Sequence, residues 1–459
     1  MRKYLKVIVF ILLAALLSGC SGREDKLPGI VIPGKEKDPA PGPAEPSVPD
    51  AAVSAKVGEP LPVWQDGYLD IHSINTGRGE SYFYIFPDGT TMLIDAGGAL
   101  PNEVHDYGAG NSPGVPSKPS KDIATADVIL HYIQHYSPAV SKGALDYMMV
   151  SHYHGDHFGT TNTYWPTHPQ GGFVMNSVTA VGAALKVGKL LDRGEFDDPP
   201  SSDWFSSTTN YNNYVKFAKW AAAANGMVRE KVRVGANDQI VMRHNPSLTG
   251  AFEVRNLAAG GYVWTGTGTE SATLLPSTAE LKKKGASDAG QCGENVMSIS
   301  LHVRLGSFDW YTGGDSQYNG RSTYAYKDIE APIAKVMGKV EAMKANHHCT
   351  ANTNSPELLA VLRPDVLVAS AWRDVQPRAE TMNRFIAANP GVRIFATNLT
   401  DNNRSTLAAA GFDVGRMACT GGHVVIRVHP SGSKYWVYVL DDTNEEYKVT
   451  KITGPLNCL

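Results

Sequence analysis

One short segment of the chain combines the side chains that most often bind transition metals. Residues 151–157 read Ser-His-Tyr-His-Gly-Asp-His and directly follow the apolar residues 147–150. The imidazoles of His152 and His154 can converge on one cation at about 2 Å, while Asp156 and His157 point towards a second position. Imidazole and carboxylate groups suit Zn²⁺, and also Mn²⁺ or iron. The segment therefore predicts a metal site at the end of a buried strand.

Two aspartates elsewhere in the chain could support this site, since each also ends an apolar run. Asp95 follows residues 91–94 and precedes a Gly-Gly pair, so it either fixes the tautomer of a ligand histidine or caps a turn. Asp315 follows Gly313 and Gly314 and is either a metal ligand or a turn residue. We favour the supporting role for Asp95 and the ligand role for Asp315, because glycines allow close approach of the backbone.

These motifs, in this order, resemble the metallo-β-lactamase superfamily. The resemblance covers roughly residues 68–384 and rests on four segments: 93–97 (Leu-Ile-Asp-Ala-Gly), 152–157, 310–315 (Trp-Tyr-Thr-Gly-Gly-Asp) and 345–350 (Ala-Asn-His-His-Cys-Thr). It implies an α/β fold of the αββα sandwich type and a metal-dependent hydrolase. It also implies two Zn²⁺ ions, with Mn²⁺ or iron as alternatives.

The resemblance further implies a set of ligands for the two metals. His152 and His154 would hold the first metal, Asp156, His157 and His347 the second, and Asp315 would lie between them. The third ligand of the first metal stays open. His168 and His244 are the intervening candidates, neither is favoured, and a water molecule could take the position instead.

Two of these residues are the predicted catalytic groups. Asp156 would orient the metal-activated hydroxide as a base. His348 would be either an alternative ligand to His347 or a donor to a substrate oxygen. His302 alternates with apolar residues inside a predicted strand, so we expect it to be structural.

Within the superfamily, the chain is most similar to the nuclease-like domain of bacterial DNA-uptake proteins. Residues 75–81 (Asn-Thr-Gly-Arg-Gly-Glu-Ser), residues 295–298 and the paired histidines carry this resemblance. Two positions depart from it: Cys349-Thr350 replaces the usual Gly-Ser, and Gln376-Pro377 replaces a frequent His-Pro. The departures put phosphodiester chemistry in doubt, but not metal binding.

The N-terminus predicts export and lipid anchoring. Residues 1–20 combine basic residues, a short apolar run and Leu-Ser-Gly-Cys, which resembles a bacterial lipobox with Cys20 as the lipidated residue. Residues 21–63 are rich in Pro and Gly and predict an extended tether. We therefore expect a cell-envelope protein, held by its lipid outside the cytoplasmic membrane or in the outer membrane, and no protein partner is evident.

The remaining residues, 64–459, predict one hydrolase domain. With 42% hydrophobic and 19% charged residues the composition is globular, and a net charge of −3 gives no overall basic field to attract nucleic acid. Apolar runs separated by turn residues predict strands followed by alternating helices and strands, hence a layered sandwich. Residues 158–239 predict a helical insertion that caps the site, with helices at 178–191 and 214–224.

Four cysteines follow Cys20, at positions 292, 349, 419 and 458. An exported chain enters an oxidising compartment, so one or two disulfides and buried free thiols are equally good interpretations. For Cys349 beside two histidines, a packed or oxidised cysteine is favoured over a thiolate ligand.

Three hypotheses for the function follow. The leading one is hydrolysis of a phosphodiester, small or nucleic acid, by metal-activated hydroxide. The second is hydrolysis of a lactone, β-lactam or carboxylic ester by the same metals, since the pocket decides the substrate. The third is a surface binding protein without catalysis, because fold alone does not fix function.

Overall fold

A computed structural model of the chain describes residues 55–98, 115–161, 165–195, 208–245, 251–273, 275, 293–318 and 325–459. These residues belong to one compact unit, Asp50–Leu459. The predicted signal peptide, Cys20 and most of the predicted tether lie outside the described residues. Among the described residues, no helix combines the length and apolar character that crossing a membrane requires.

The first sheet is built from residues 69–231 and from the end of the chain. Its strands are β1 (Leu69–Ser73), β2 (Tyr82–Ile85), β3 (Thr91–Ile94), β4 (Ala144–Met149), β5 (Lys186–Asp192), β6 (Val228–Lys231), β16 (His423–Val428), β17 (Lys434–Leu440) and β18 (Val449–Asn457). The order is β18-β17-β16-β1-β2-β3-β4-β5-β6. β1 pairs antiparallel with β2 and β16, whereas β3, β4, β5 and β6 run parallel.

The second sheet is built from the middle of the chain. Its strands are β7 (Phe252–Ala259), β8 (Tyr262–Trp264), β9 (Ser271–Thr273), β10 (Ser300–Leu305), β11 (Phe308–Thr312), β12 (Ala342–Lys344), β13 (Val366–Ala369), β14 (Arg393–Ala396) and β15 (Met417–Cys419). The order is β15-β14-β13-β12-β11-β10-β7-β8-β9, and the strands from β11 to β15 are parallel.

Helices cover the outer face of each sheet. They are α1 (Thr125–Tyr136), α2 (Pro138–Ser141), α3 (Gly155–Phe158), α4 (Ser177–Ala184), α5 (Thr208–Asn225), α6 (Glu330–Ala334), α7 (Pro356–Leu362), α8 (Ala379–Ala388) and α9 (Asp401–Ala409). Short 3₁₀ segments lie at Glu294–Met297, Ala325–Lys327, Asn346–Cys349 and Val414–Arg416.

Three buried apolar clusters define the layers. One lies between the sheets and joins Tyr82 and Met149 to Leu301 and Trp310. A second packs α1, α4 and α5 against the first sheet, and a third packs α7, α8 and α9 against the second sheet. A helix layer, two facing sheets and another helix layer follow in that order. The αββα sandwich expected from the sequence is confirmed.

One predicted helix is wrong in its second half. The pattern predicted a helix over residues 178–191, but α4 ends at Ala184 and β5 begins at Lys186. β5 contributes apolar side chains to both faces of the sheet: Val187 and Leu190 pack under the helices, while Leu191 packs between the sheets. A strand buried on both sides reads as a continuous apolar run, which periodicity alone cannot distinguish from a helix. Residues 158–239 therefore contribute two helices and also β5 and β6, the last two strands at one edge of the first sheet.

The end of the chain forms three antiparallel strands of the first sheet. β16 and β17 form a hairpin, and β18 extends the sheet beyond them. β18 is largely exposed and lacks a regular apolar alternation, so it carries little sequence signal. Residues before 64 also contact this region: Leu61 is buried, and the Gly58 amide donates to the Val449 carbonyl at 2.8 Å.

The parallel strands determine where the candidate residues meet. β3 and β4 of the first sheet and β11 and β12 of the second each end in a segment that carries them. Since the two sheets face each other, these carboxyl ends converge at one edge of the sandwich. This is the edge where open α/β sheets ordinarily bind ligands.

Candidate metal centre

The segment after β4 brings two imidazoles together. His152 Nε2 and His154 Nδ1 lie 3.0 Å apart, and His152 Nε2 lies 3.8 Å from the Oδ2 atom of Asp315. One ligand atom from each of these three residues falls within 4.8 Å of the others. This spacing suits three ligands of a single cation.

A second group shares the same aspartate. It contains Asp156, His157, His348 and Asp315, again with ligand atoms within 4.8 Å of one another. His157 Nε2 lies 3.2 Å from Asp315 Oδ2, and His348 Nε2 lies 3.3 Å from Asp156 Oδ2. The two groups together resemble a two-metal site joined by one carboxylate.

Three atoms of the second group fit a cation better than they fit hydrogen bonds. His157 Nε2, His348 Nε2 and Asp315 Oδ1 are buried, and none makes a hydrogen bond to any residue that the structure describes. Leaving a buried polar atom without a partner costs about 1–3 kcal/mol. A cation held by these atoms would remove that cost.

His347 lies beside the two groups and belongs to neither. Its side chain is 28% exposed, and its Nε2 atom lies 3.5 Å from Asp315 Oδ2. Its Nδ1 atom lies 3.4 Å from Nδ2 of Asn295. By contrast, the side chain of His348 is 1% exposed, and its Nδ1 atom lies 2.9 Å from the Ser370 carbonyl, which leaves Nε2 directed at the carboxylates.

The charges of the site hold protons on some imidazoles and not on others. Burial lowers the pKa of His157, but the carboxylates of Asp315 and Asp156 outweigh it and raise that pKa well above its usual value. Burial and the neighbouring His157 lower the pKa of His152. Burial also lowers the pKa of His347, to about 4. A cation binding to the second group must therefore displace protons, as metals generally do on binding histidine.

Asp95 contacts the site from behind. Its Oδ2 atom lies 2.8 Å from His157 Nδ1 and accepts a bond from the Ser151 hydroxyl, while Oδ1 accepts one from the Ser151 amide at 2.7 Å. A carboxylate in this position holds the proton on Nδ1 and so directs Nε2 of His157 towards the metal position.

Two glycines allow the backbone of residues 152–157 to approach closely. A Cβ on Gly79 would lie 2.0 Å from the Asp156 carbonyl oxygen, and one on Gly97 would lie 2.2 Å from it. The Glu80 amide donates to the same oxygen at 3.0 Å. The loop after β1 and the loop after β3 therefore hold Asp156 from two sides, and only glycine leaves the room.

The turn that carries His347 and His348 is strained and is held by a buried carboxylate. His347, His348 and Cys349 all have left-handed φ angles, at 46°, 52° and 64°. Glu330 accepts hydrogen bonds from the Asn354 amide at 2.7 Å and from Asn346 Nδ2 at 2.8 Å. Non-glycine residues in this region cost about 1–3 kcal/mol each, so surrounding contacts must fix them.

Two further buried cations, Lys344 and Arg193, lie near the site and had no predicted role. Lys344, the last residue of β12, is fully buried with its Nζ atom 3.0 Å from Glu80 Oε2. Arg193 is buried and pairs with Glu294, which in turn accepts the amide of Tyr153 at 3.0 Å. The only signal for Lys344 was a lysine at the end of an apolar strand, directly before the histidine pair.

The three other histidines that the sequence analysis considered lie in other contacts. His302 pairs with Asp309 at 2.6 Å, His168 stacks on Phe173, and His244 pairs with Asp146 at 3.0 Å. Cys349, Cys419 and Cys458 are free thiols, and Cys292 lies outside the described residues. Burial raises the pKa of the Cys349 thiol to about 12, which disfavours a thiolate ligand.

Comparison with known proteins gives matches of structure only. The sequence matches no protein-family model and no curated protein. The structure is similar to a CmlA β-hydroxylase mutant, with 12% identity and a TM-score of 0.36 over 72% of this chain and 52% of that one, so this chain spans about half of the hydroxylase. It is also similar to Zn²⁺-bound PqqB from Methylobacterium extorquens, with 9% identity and a TM-score of 0.32 over 72% of this chain and 97% of that one.

A Gly79→Ala substitution should disturb the candidate metal site in addition to straining the backbone at residue 79. The new Cβ would displace the Asp156 carbonyl, so we expect reduced Zn²⁺ content and a loss of stability larger than left-handed strain alone. Gly143→Ala is the matched control, because φ is +84° there but no described atom lies within 4 Å. It should cost about 1–2 kcal/mol and leave metal content unchanged. Denaturant unfolding and metal analysis measure both effects, and equal metal content in the two variants would contradict the prediction.

Glu330 should make the metal-free protein less stable as the pH rises. Burial raises the pKa of its carboxyl to about 7, above the value of 4.5 expected in the unfolded chain. The folded state therefore binds the extra proton, and its stabilising effect is lost as pH rises from about 4.5 through 7, by about 3 kcal/mol. With a metal chelator present, the free energy of unfolding of the wild type minus that of Glu330→Gln should fall across this pH range. The exposed Glu357→Gln serves as control, and parallel curves for Glu330→Gln and wild type would contradict the assignment.

Proposed function

We propose that this protein is a metal-dependent phosphodiesterase that acts outside the cytoplasm. The observation that carries the proposal is the pair of ligand groups joined through Asp315. Such a pair is unusual without a metal, because it leaves His157 Nε2, His348 Nε2 and Asp315 Oδ1 buried with no hydrogen bond to any described residue. The metal-dependent hydrolase inferred from the sequence is consistent with this donor set.

In this proposal each cation has its own ligands. His152 and His154 hold the first, Asp156, His157 and His348 hold the second, and Asp315 serves both. His348 thus takes the role that the sequence resemblance gave to His347, because its buried Nε2 atom has no hydrogen bond among the described residues. Imidazole nitrogens with carboxylate oxygens favour Zn²⁺, with Mn²⁺ or iron as alternatives.

The chain's own groups are arranged for hydrolysis. Two divalent cations, when bound, lower the pKa of water and neutralise charge in the transition state. The Asp156 side chain is 22% exposed, so it can orient an attacking water through a hydrogen bond. Burial raises the pKa of its carboxyl, but His157 and His348 outweigh burial and lower that pKa, so Asp156 orients the water without keeping its proton. His347 and Asn295, adjacent at the exposed side of the site, can donate hydrogen bonds to a substrate oxygen.

The surroundings favour an anionic substrate. The guanidinium groups of Arg78 and Arg373 lie 5.8 Å and 5.5 Å from the ring of Trp372. That ring meets the His348 ring edge-on at 6.3 Å, so both guanidinium groups lie on an aromatic ring that neighbours the second ligand group. Guanidinium groups match the geometry of phosphate oxygens, which supports a phosphodiester over an uncharged lactone or ester.

The proposed location rests on the N-terminal sequence. Residues 1–20 would direct export, lipid on Cys20 would anchor the chain, and residues 21–63 would hold the domain away from the membrane. More than one acyl chain is needed for stable anchoring, which lipoprotein processing would supply. The substrate would then be a phosphodiester, small or nucleic acid, in the cell envelope or beyond it.

Metal stoichiometry and hydrolysis test the proposal together. Purified protein loaded with Zn²⁺ or Mn²⁺ should bind two ions and hydrolyse bis-p-nitrophenyl phosphate or DNA. His154→Ala should bind fewer ions and lose at least about 100-fold in activity, because a ligand is removed. His131→Ala is the control, since His131 is a surface histidine paired with Glu445.

Two other results would contradict the proposal, one for the hydrolase activity and one for the substrate class. Near-zero metal in the wild type would contradict a hydrolase and favour a binding protein. Two metals without phosphodiester hydrolysis would exclude the substrate, and turnover of a lactone, β-lactam or carboxylic ester would then identify the alternative reaction.

Alanine substitutions of the adjacent residues His347 and His348 should differ in their effects on metal content and activity. His348→Ala should lose an ion and activity, because a ligand is removed from the second group. His347→Ala should keep both ions but lower kcat, because it removes a group that faces substrate. Metal analysis and steady-state kinetics of the two variants distinguish these roles, and loss of metal from His347→Ala alone would reverse the assignment.

A further inference from the structure

Lys344 places a positive charge directly behind the ligand groups. The residue is fully buried, and its Nζ atom makes three contacts within 3.1 Å. It donates to the carbonyl oxygens of Gly314 at 2.6 Å and Ala345 at 3.1 Å, and it lies 3.0 Å from Glu80 Oε2. A buried ammonium is costly unless it is fully paired, and these three partners pair it.

Each partner belongs to a different segment of the site. Gly314 precedes the shared ligand Asp315, and Ala345 begins the segment that carries the histidine pair. Glu80 lies in the loop after β1, where its amide binds the Asp156 carbonyl at 3.0 Å. One ammonium therefore joins the loops that position Asp315, His348 and Asp156.

A third cluster, of two carboxylates and one imidazole, lies beside the same ammonium. Glu80, Asp95 and His157 have ligand atoms within 4.8 Å of one another, as the two ligand groups do. Here, however, Glu80 already faces the Lys344 ammonium, and Asp95 already faces His157 Nδ1 at 2.8 Å. The two carboxylates of the third cluster therefore already face groups of the chain itself, Glu80 the Lys344 ammonium and Asp95 the His157 ring.

We propose that Lys344 is a positioning residue that sets the affinity of both metals by fixing the Gly314–Asp315 backbone and by holding Glu80 through its ammonium group. This inference rests on the proposed metal binding, but not on the substrate. Because Asp315 is shared, a change at Lys344 must weaken both ions together. A lysine that only filled space could be replaced by methionine of similar length without affecting either ion.

Zn²⁺ affinity of the full-length protein, measured by chelator competition, tests the inference, with unfolding of the metal-free protein measured in parallel. Lys344→Met should weaken binding of both ions by about 10- to 100-fold and destabilise the protein, because Glu80 is left unpaired. The double variant Lys344→Met/Glu80→Gln should regain stability but not affinity. Lys339→Met, which removes a surface lysine paired with Asp365, should change neither ion.

The outcomes separate this inference from the proposed function. A wild type that binds no Zn²⁺ contradicts the proposed function itself. A wild type that binds two ions, beside a folded double variant with affinity within about twofold of it, overturns the role of Lys344 alone. Failure of the double variant to fold would make Lys344 a requirement of the fold and overturn the inference too. Glu80→Gln keeps both carbonyl contacts and should lose less affinity than Lys344→Met, and an equal loss would assign the effect to the carboxylate.

Discussion

One carboxylate oxygen of Asp315 lies 3.2–3.8 Å from an imidazole nitrogen of each of four histidines. Those histidines come from segments that follow β4 and β12, and Asp315 itself follows β11. The side chain is 2% exposed, so water contributes little to its solvation. Both ligand groups contain this residue, and their relative position depends on where its loop is held. The arrangement is stable only if the carboxylate is neutralised by protons on the histidines or by cations.

Several residues of the site have strained backbone angles, and neighbouring hydrogen bonds hold them in place. Asp95, His347 and His348 adopt left-handed φ angles, a conformation that such residues rarely occupy. Asp95 repays its strain with bonds to Ser151 and His157, and Glu330 holds the histidine turn through Asn346 and Asn354. Strained backbone persists where neighbouring contacts over-determine it, and here it orients potential ligands before any cation arrives.

The sequence predicted the parts of the site that follow strong local signals. The sandwich, the strands before Asp95 and Asp315 and the segment 152–157 were predicted because each candidate lies at or shortly after the end of an apolar run. The choice between His347 and His348 was not decided, since neighbours in sequence differ only in backbone angle. The contact between Glu80 and Lys344 joins residues far apart in the chain, and one sequence holds no signal for such pairing. The helix predicted over 178–191 was wrong in part because burial on both faces removes periodicity.

The pairing of β1 with β16 ties the beginning of the domain to a strand near its end. During synthesis, Leu69–Ser73 leaves the ribosome long before its partner His423–Val428 exists, so the first sheet stays open on that side until the last residues are made. Contacts between such distant positions slow folding. A chain that stops short of residue 423 would lose more than a terminal hairpin: it would leave β1 with an uncovered edge, and such edges promote aggregation.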